Sequence, residues 1–150
     1  MLYVDELKKR ESMDDTNIHA SVISGKVRIS SFSVTLTADD ITADPDGAIK
    51  LVLAYLPAGR GRALPVLSRI NSTTSLTLGL GEYVDAIPGV GTVAENATIL
   101  ASSISSGATS SFDGAVEGVP YHSLNDIPII AHGNFAAGVT VKGIVVYNVT

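Results

Sequence analysis

Cysteine is absent from the 150 residues, which removes disulfides, thiolate nucleophiles and sulfur metal ligands together. Tryptophan is absent as well, and tyrosine and phenylalanine number only five and three. Small-molecule pockets draw on aromatic walls, so this scarcity leans towards a structural shell of strands and turns. No apolar run approaches the roughly 20 residues that a membrane helix needs. The N-terminus, MLYVDELKKRESMDD, mixes charges and has no apolar signal-peptide core, so folding in a cytosol is expected. Basic excess is missing too. The formal net charge is −5, whereas a general nucleic-acid binder needs a basic face. Neither a nucleic-acid nor a membrane partner is expected.

Serine and threonine together number 28 and glycine 14. The length suits one domain with a real hydrophobic core. Eight of the 25 charged side chains fall in the first 17 residues, so residues 1–20 read as an N-terminal arm and 21–150 as the domain. Such an arm is either a solvated terminus or a segment that orders on a partner.

From Val27 the pattern has period two. Val27 and Ile29 alternate with Arg28 and Ser30, then Phe32, Val34 and Leu36 alternate on the other parity, which predicts a bulge or bend at Ser30-Ser31. The stretch DDITADPDG, residues 39–47, carries turn formers. Residues 49–56 are apolar on both parities except Lys50, the mark of a central strand. Leu64, Val66 and Ile70 suggest a strand that Pro65 places at an edge or a start. Leu76, Leu78 and Leu80 alternate with polar or small residues, and a glycine-rich loop follows over 81–91. Thr92-Val93-Ala94-Glu95 matches a capping box, and Val93, Ala97, Leu100 and Ile104 follow at helical spacing, which predicts a helix that Gly107 stops. Strands are then expected over 109–112, 128–131 and 139–149, with Val139, Val141, Val145, Tyr147 and Val149 on one face. The fold class is all-β: a jelly-roll-like β-sandwich with one short helix and an extended N-terminal arm.

Catalytic constellations are thin. His122, Asp126 and His132 form the one set that a metal could use, yet no close-spaced pair fixes its geometry. No serine lies in a Gly-x-Ser-x-Gly elbow. Asp39-Asp40 and Asp44-Asp46 lack the spaced ligands of a calcium loop. Asn71, Asn96 and Asn148 begin glycosylation sequons, read here as chance. The corner Pro57-Ala58-Gly59-Arg60-Gly61-Arg62 lacks the Lys-Ser/Thr of a phosphate loop. Its glycines are expected to supply positive φ. Arg60 and Arg62 are either solvated or contacts for a neighbouring subunit.

The stretch LVLAYLPAGRGRALPVLSRINSTTSLTLGLGEY resembles a pattern in small virion-associated proteins of tailed bacteriophages. Leu56 to Arg60, Leu64-Pro65, Ser68-Arg69 and Leu76 to Gly81 carry the resemblance, together with the closing AAGVTVKGIVVYNVT; it spans roughly residues 48 to 150. It implies a capsid decoration, or cement, protein: a β-sandwich, often a homotrimer, that docks on the assembled head with the major capsid protein as partner. The protein would then be made in the host cytoplasm, sit on the capsid exterior, need no cofactor and have no enzymatic activity. Lys8, Lys9 and Arg10 of the arm, with Arg60 and Arg62, become the candidate subunit or capsid contacts. The competing readings are a head-fibre base, tail or receptor-binding module, and a small jelly-roll ligand binder or metal enzyme using the two histidines and Asp126.

Overall fold

In the computed structural model of the protein the described residues are 2–3, 27–43 and 50–149. The arm, with Lys8, Lys9 and Arg10, and the Asp44-Asp46 turn therefore lie outside the described residues, apart from two residues at the start. In chain order the strands are β1 (Leu2–Tyr3), β2 (Val27–Thr35), β3 (Lys50–Leu56), β4 (Gly59–Ala63), β5 (Arg69–Ser72), β6 (Leu76–Leu80), β7 (Tyr83–Val84), β8 (Thr92–Val93), β9 (Asn96–Ile104), β10 (Ser110–Ser111), β11 (Val119–Ser123), β12 (Ile127–Gly133) and β13 (Thr140–Val149). A short helix α1 (Ala38–Ala43) follows β2.

These strands build an all-β sandwich. One sheet runs β1-β3-β12-β6-β9; the other runs β10-β5-β13-β4-β11, with β2 along the far flank of β13. A separate hairpin joins β7 to β8. Strand β3 is buried almost throughout, as its unbroken apolar run predicts, yet it is not central: β12 holds the middle of the sheet, and among the described residues β3's other flank meets only β1, at Leu51 and Val52. The sheets share one core. Leu53, Leu56, Ile127 and Ile129 of the first sheet join Phe32, Ile70, Val141 and Val145 of the second in a single buried cluster, each large side chain contributing about 1.5–3 kcal/mol.

Strand β13 organises the second sheet. On one flank it pairs with β5 over Val141 to Ile144 and then with β4 over Tyr147 to Val149, while β2 runs along the other flank. At the changeover the chain makes a 3-10 turn, Pro65–Leu67. There the buried Ser68 hydroxyl donates to the Leu64 carbonyl and accepts from the Val146 amide, both at 2.9 Å. The Leu64 amide donates to the Val146 carbonyl, also at 2.9 Å. No backbone group of Val146 is left orphaned, which is what a buried ladder requires.

Four local expectations are corrected. The helix predicted over 92–107 is strand: β8 and β9 occupy it, and β9 pairs with β6. Sheet pairing overrides a weak helical signal in a segment rich in Ser, Thr and Ile. The capping box lies elsewhere. The Thr37 amide donates to Asp40 Oδ2 at 2.9 Å, and the Asp40 amide to Thr37 Oγ1 at 3.2 Å, opening α1 inside the stretch read as a turn. No bulge interrupts β2, which stays in register with β13 from Val27 to Thr35. Val27 and Ile29 therefore face solvent, 44% and 63% exposed. Finally, residues 65–67 form the 3-10 turn where an alternating strand was expected.

Candidate interaction surface

Strand β4 sets the geometry of the outer face of the second sheet. The true corner is Pro57-Ala58-Gly59, where Gly59 adopts φ +108°. Gly61 needs glycine for a different reason: a Cβ there would sit 2.5 Å from both the Tyr121 hydroxyl oxygen and the Asn148 carbonyl oxygen. The Tyr121 side chain thus packs over a position that tolerates no side chain. Gly59, Gly61 and Ala63 keep one side of β4 thin, and the alternation places Arg60 and Arg62 on the other. Both arginines stand on a strand, not in a corner.

Pairing then assembles their neighbours. Arg60 lies opposite His122; Arg62 lies opposite Pro120 on one side and Asn148 on the other. The β7–β8 hairpin is fastened beside them. The Ala86 amide donates to the His122 carbonyl, Leu124 to the Val84 carbonyl, and Val84 to Asn125 Oδ1, each at 2.9 Å. Between sheet and hairpin lies a groove of about 420 Å³, with Arg60, Arg62, His122 and Asn148 among its lining and Tyr83, Asp85 and Ile87 from the hairpin. Burial and then the Asp85 charge raise the Tyr83 phenol above its usual range. The Tyr121 phenol is pushed up to about 12, chiefly by burial, with a further push from Tyr147. Both stay neutral near pH 7.

A second, shallower groove of about 350 Å³ opens on the same face. Arg69, Asn71, Thr109, Lys142 and Ile144 line it. Arg69 lies opposite Ile144 and Asn71 opposite Lys142, and Asn71 Nδ2 donates to Thr109 Oγ1 at 3.1 Å.

Charge on this face is segregated. The described lysines and arginines are Arg28, Lys50, Arg60, Arg62, Arg69 and Lys142, and the last four project here. None of the described Asp or Glu residues belongs to a strand of the second sheet. Two of the guanidinium groups are held by carbonyls: Arg62 Nη1 by Glu117 O at 2.8 Å, and Arg69 Nη1 by Val66 O at 2.7 Å and Ser68 O at 3.0 Å. A carbonyl orients a guanidinium without cancelling its charge. Among the described residues the strands of this face carry cations and no carboxylate, while Asp85 of the hairpin lines the first groove.

Of the sequence candidates, Arg60 and Arg62 meet in the first groove, joined by His122. Asp126 is spent elsewhere, its Oδ1 accepting from the Ala58 amide at 2.9 Å. His132 sits on the other sheet, 3.3 Å from Glu95 Oε1. The trio His122, Asp126 and His132 is not gathered, and no group of three such side chains able to hold a metal occurs among the described residues. Arg69 and Lys142 escaped the sequence reading. Their signal was a charged residue at an outward position of an alternating strand, but which strands lie side by side is a long-range fact.

No family model matches the chain, and no curated protein matches it. Among solved structures the chain is similar to the cyanophage Pam1 capsid asymmetric unit, at 20% identity and a TM-score of 0.38, over 83% of this chain and 85% of that one. An overlap of that size falls short of a shared fold and carries no functional weight.

Proposed function

We propose that this chain is a virion structural protein of the decoration type, docking on the assembled head of a tailed phage and reinforcing the shell. The observation that carries the reading is the outer face of the second sheet, where Arg60, Arg62, Arg69 and Lys142 project without a strand-borne carboxylate among them. A sheet face whose strands carry cations and no carboxylate suits docking on an acidic protein surface, because complementary potentials speed encounter and fix orientation. The resemblance of residues 56–81 to decoration proteins supports the same role.

A subunit that bridges several shell proteins binds the assembled state in preference and stabilises it by mass action. A trimer would add avidity, and the arm, through Lys8, Lys9 and Arg10, would add charge contacts that order on docking. The test is co-sedimentation of the purified protein with expanded heads of the phage that encodes it. Saturable, salt-sensitive binding that raises the temperature at which heads release DNA is the expected result; no binding at low salt would overturn the reading. Light scattering is expected to give a mass of three 15.5 kDa chains, and a strict monomer on and off the shell would remove the trimer.

A further inference from the structure

The second groove gathers donors and no acid, since no Asp or Glu is among its lining residues. Lys142 of β13 lies opposite Asn71 of β5, and Arg69 stands two residues back along β5 on the same outward face. Lys142 and Arg69 are thus diagonal neighbours, about 7–8 Å apart, and side chains of their length can converge on one anion. Arg69 is held in advance. Its Nη1 donates to Val66 O at 2.7 Å and to Ser68 O at 3.0 Å, which occupies that nitrogen and leaves the Nε–Nη2 edge without a partner among the described residues. That edge offers two parallel N–H groups, the fork that matches a carboxylate, and fixing it beforehand lowers the entropy lost on binding. Lys142 is exposed and has no hydrogen bond or ion pair among the described residues. Because Asn71 Nδ2 donates to Thr109 Oγ1 at 3.1 Å, the exposed Thr109 hydroxyl keeps its own proton to donate.

Apolar surface adjoins these donors. Ile144 lies opposite Arg69 and is half-buried. Across the β2–β13 ladder Ile144 faces Ser31, and Ile29 two residues back is its diagonal neighbour, 63% exposed. Val66, whose carbonyl anchors Arg69, is exposed as well, as is Leu67 beside it. Exposed apolar groups gathered beside a polar cluster mark an interaction site. A small molecule is held by walls that bury most of it, whereas here Lys142, Arg69 and Thr109 all stand at the surface. A side chain carried on the surface of another protein needs no such walls.

We propose that the second groove seats an aspartate or glutamate side chain of a partner protein between Lys142 and the Nε–Nη2 edge of Arg69, with an adjoining apolar side chain of the partner against Ile144 and Ile29. The proposal rests on the docking reading and deepens it by naming the partner's chemistry at one site. Nucleic acid fits less well. Its phosphates gain nothing from Ile29 and Ile144, and the chain carries a net charge of −5.

NMR titration of the full chain tests it. The probes are acetyl-Glu-Leu-amide, acetyl-Gln-Leu-amide, inorganic phosphate and a single-stranded oligonucleotide. The acidic dipeptide is expected to shift the Arg69 Nε–H resonance and the backbone amides of Lys142 and Ile144, and to bind about fivefold more tightly than its neutral counterpart. Lys142→Gln, which removes no side-chain bond among the described residues, abolishes most of that difference, and Lys142→Arg retains it. Thermal melts confirm that each variant folds. Equal binding of the two dipeptides, no shift with either, or tighter binding of phosphate or the oligonucleotide would overturn the proposal. Head binding separates this proposal from the wider reading. Lys142→Gln combined with Arg69→Gln is expected to lower affinity for expanded heads about tenfold. If wild type and this double variant occupy heads equally, the groove assignment falls and the decoration role stands. If the acidic dipeptide selects the groove but heads do not bind at all, the groove stands and the decoration role falls.

Discussion

The outer faces of the two sheets treat positive charge in opposite ways. On the first sheet Lys50 lies opposite His132 across the β3–β12 ladder, and Glu95 reaches both: its Oε2 is 3.1 Å from Lys50 Nζ and its Oε1 is 3.3 Å from His132 Nε2. Beside them Val52 and Ile130, also opposite each other, are buried although they lie outside the inter-sheet cluster. That face is closed by the chain's own residues. On the second sheet Arg62 and Arg69 are steadied by carbonyls, and the described strands supply no carboxylate, Asp85 of the hairpin being the acid that lines the first groove. Charge neutralised within the fold serves the fold; whether charge oriented by carbonyls serves a partner is what the variants below decide.

The comparison can be broken most violently at Gly61. Gly61→Val drives side-chain atoms into Tyr121 and the Asn148 backbone and is expected to cost about 2–4 kcal/mol, read as a fall in melting temperature. The distortion is centred on β4, β11 and β13, so the Lys50–Glu95–His132 cluster should survive. Ser68→Ala comes next. It leaves the Val146 amide unpaired and buried, at a cost of about 1–3 kcal/mol by denaturant titration. Glu95→Gln sharpens the contrast: partial exposure and solvent screening limit its cost to about 0.5–1 kcal/mol, and head binding should not change, because this charge has an internal task.

The last effect is confined to alkaline pH and reads as a slope. In the folded chain the Tyr121 phenol titrates near 12, against about 10 when unfolded. Between those values the unfolded chain has already released the proton that the folded chain holds, so stability falls as pH rises from 10 to 12 and is intact below 10. Tyr121→Phe should flatten that part of the alkaline profile. A profile unchanged by the substitution would remove the burial argument for this phenol.

Much of the fold was legible because period-two patterning survives wherever pairing is regular. β13 is the clear example: Val141, Val145 and Tyr147 are buried on one face as their spacing predicts, and β3 is buried on both faces as its apolar run predicts, although β12 rather than β3 holds the centre of the sheet. Legibility failed where pairing is irregular. The β6–β9 ladder shifts register between Leu76 and Leu78 and again between Leu78 and Leu80. The buried positions of β9 therefore fall at Leu100, Ala101 and Ile104, a spacing that mimics a helix. Val27 and Ile29 misled for another reason: they are apolar residues left outward at one end of β2, and parity alone cannot tell an exposed apolar face from a core face. The candidate surface was half legible. Arg60 and Arg62 stood out beside their glycines, whereas Arg69 and Lys142 join them only through β13, whose pairing with β4 and β5 spans most of the chain.

The most direct test sets one face against the other in a single assay. A triple variant, Arg62→Gln with Arg69→Gln and Lys142→Gln, is compared with the pair Lys50→Gln and Glu95→Gln for equilibrium binding to expanded heads, with thermal melts confirming that both proteins fold. The prediction is a loss of tenfold or more, to order of magnitude about 1.4 kcal/mol, for the triple variant and wild-type binding for the pair. Equal losses in both, or a loss confined to the pair, would contradict the claim that the second sheet presents the docking face.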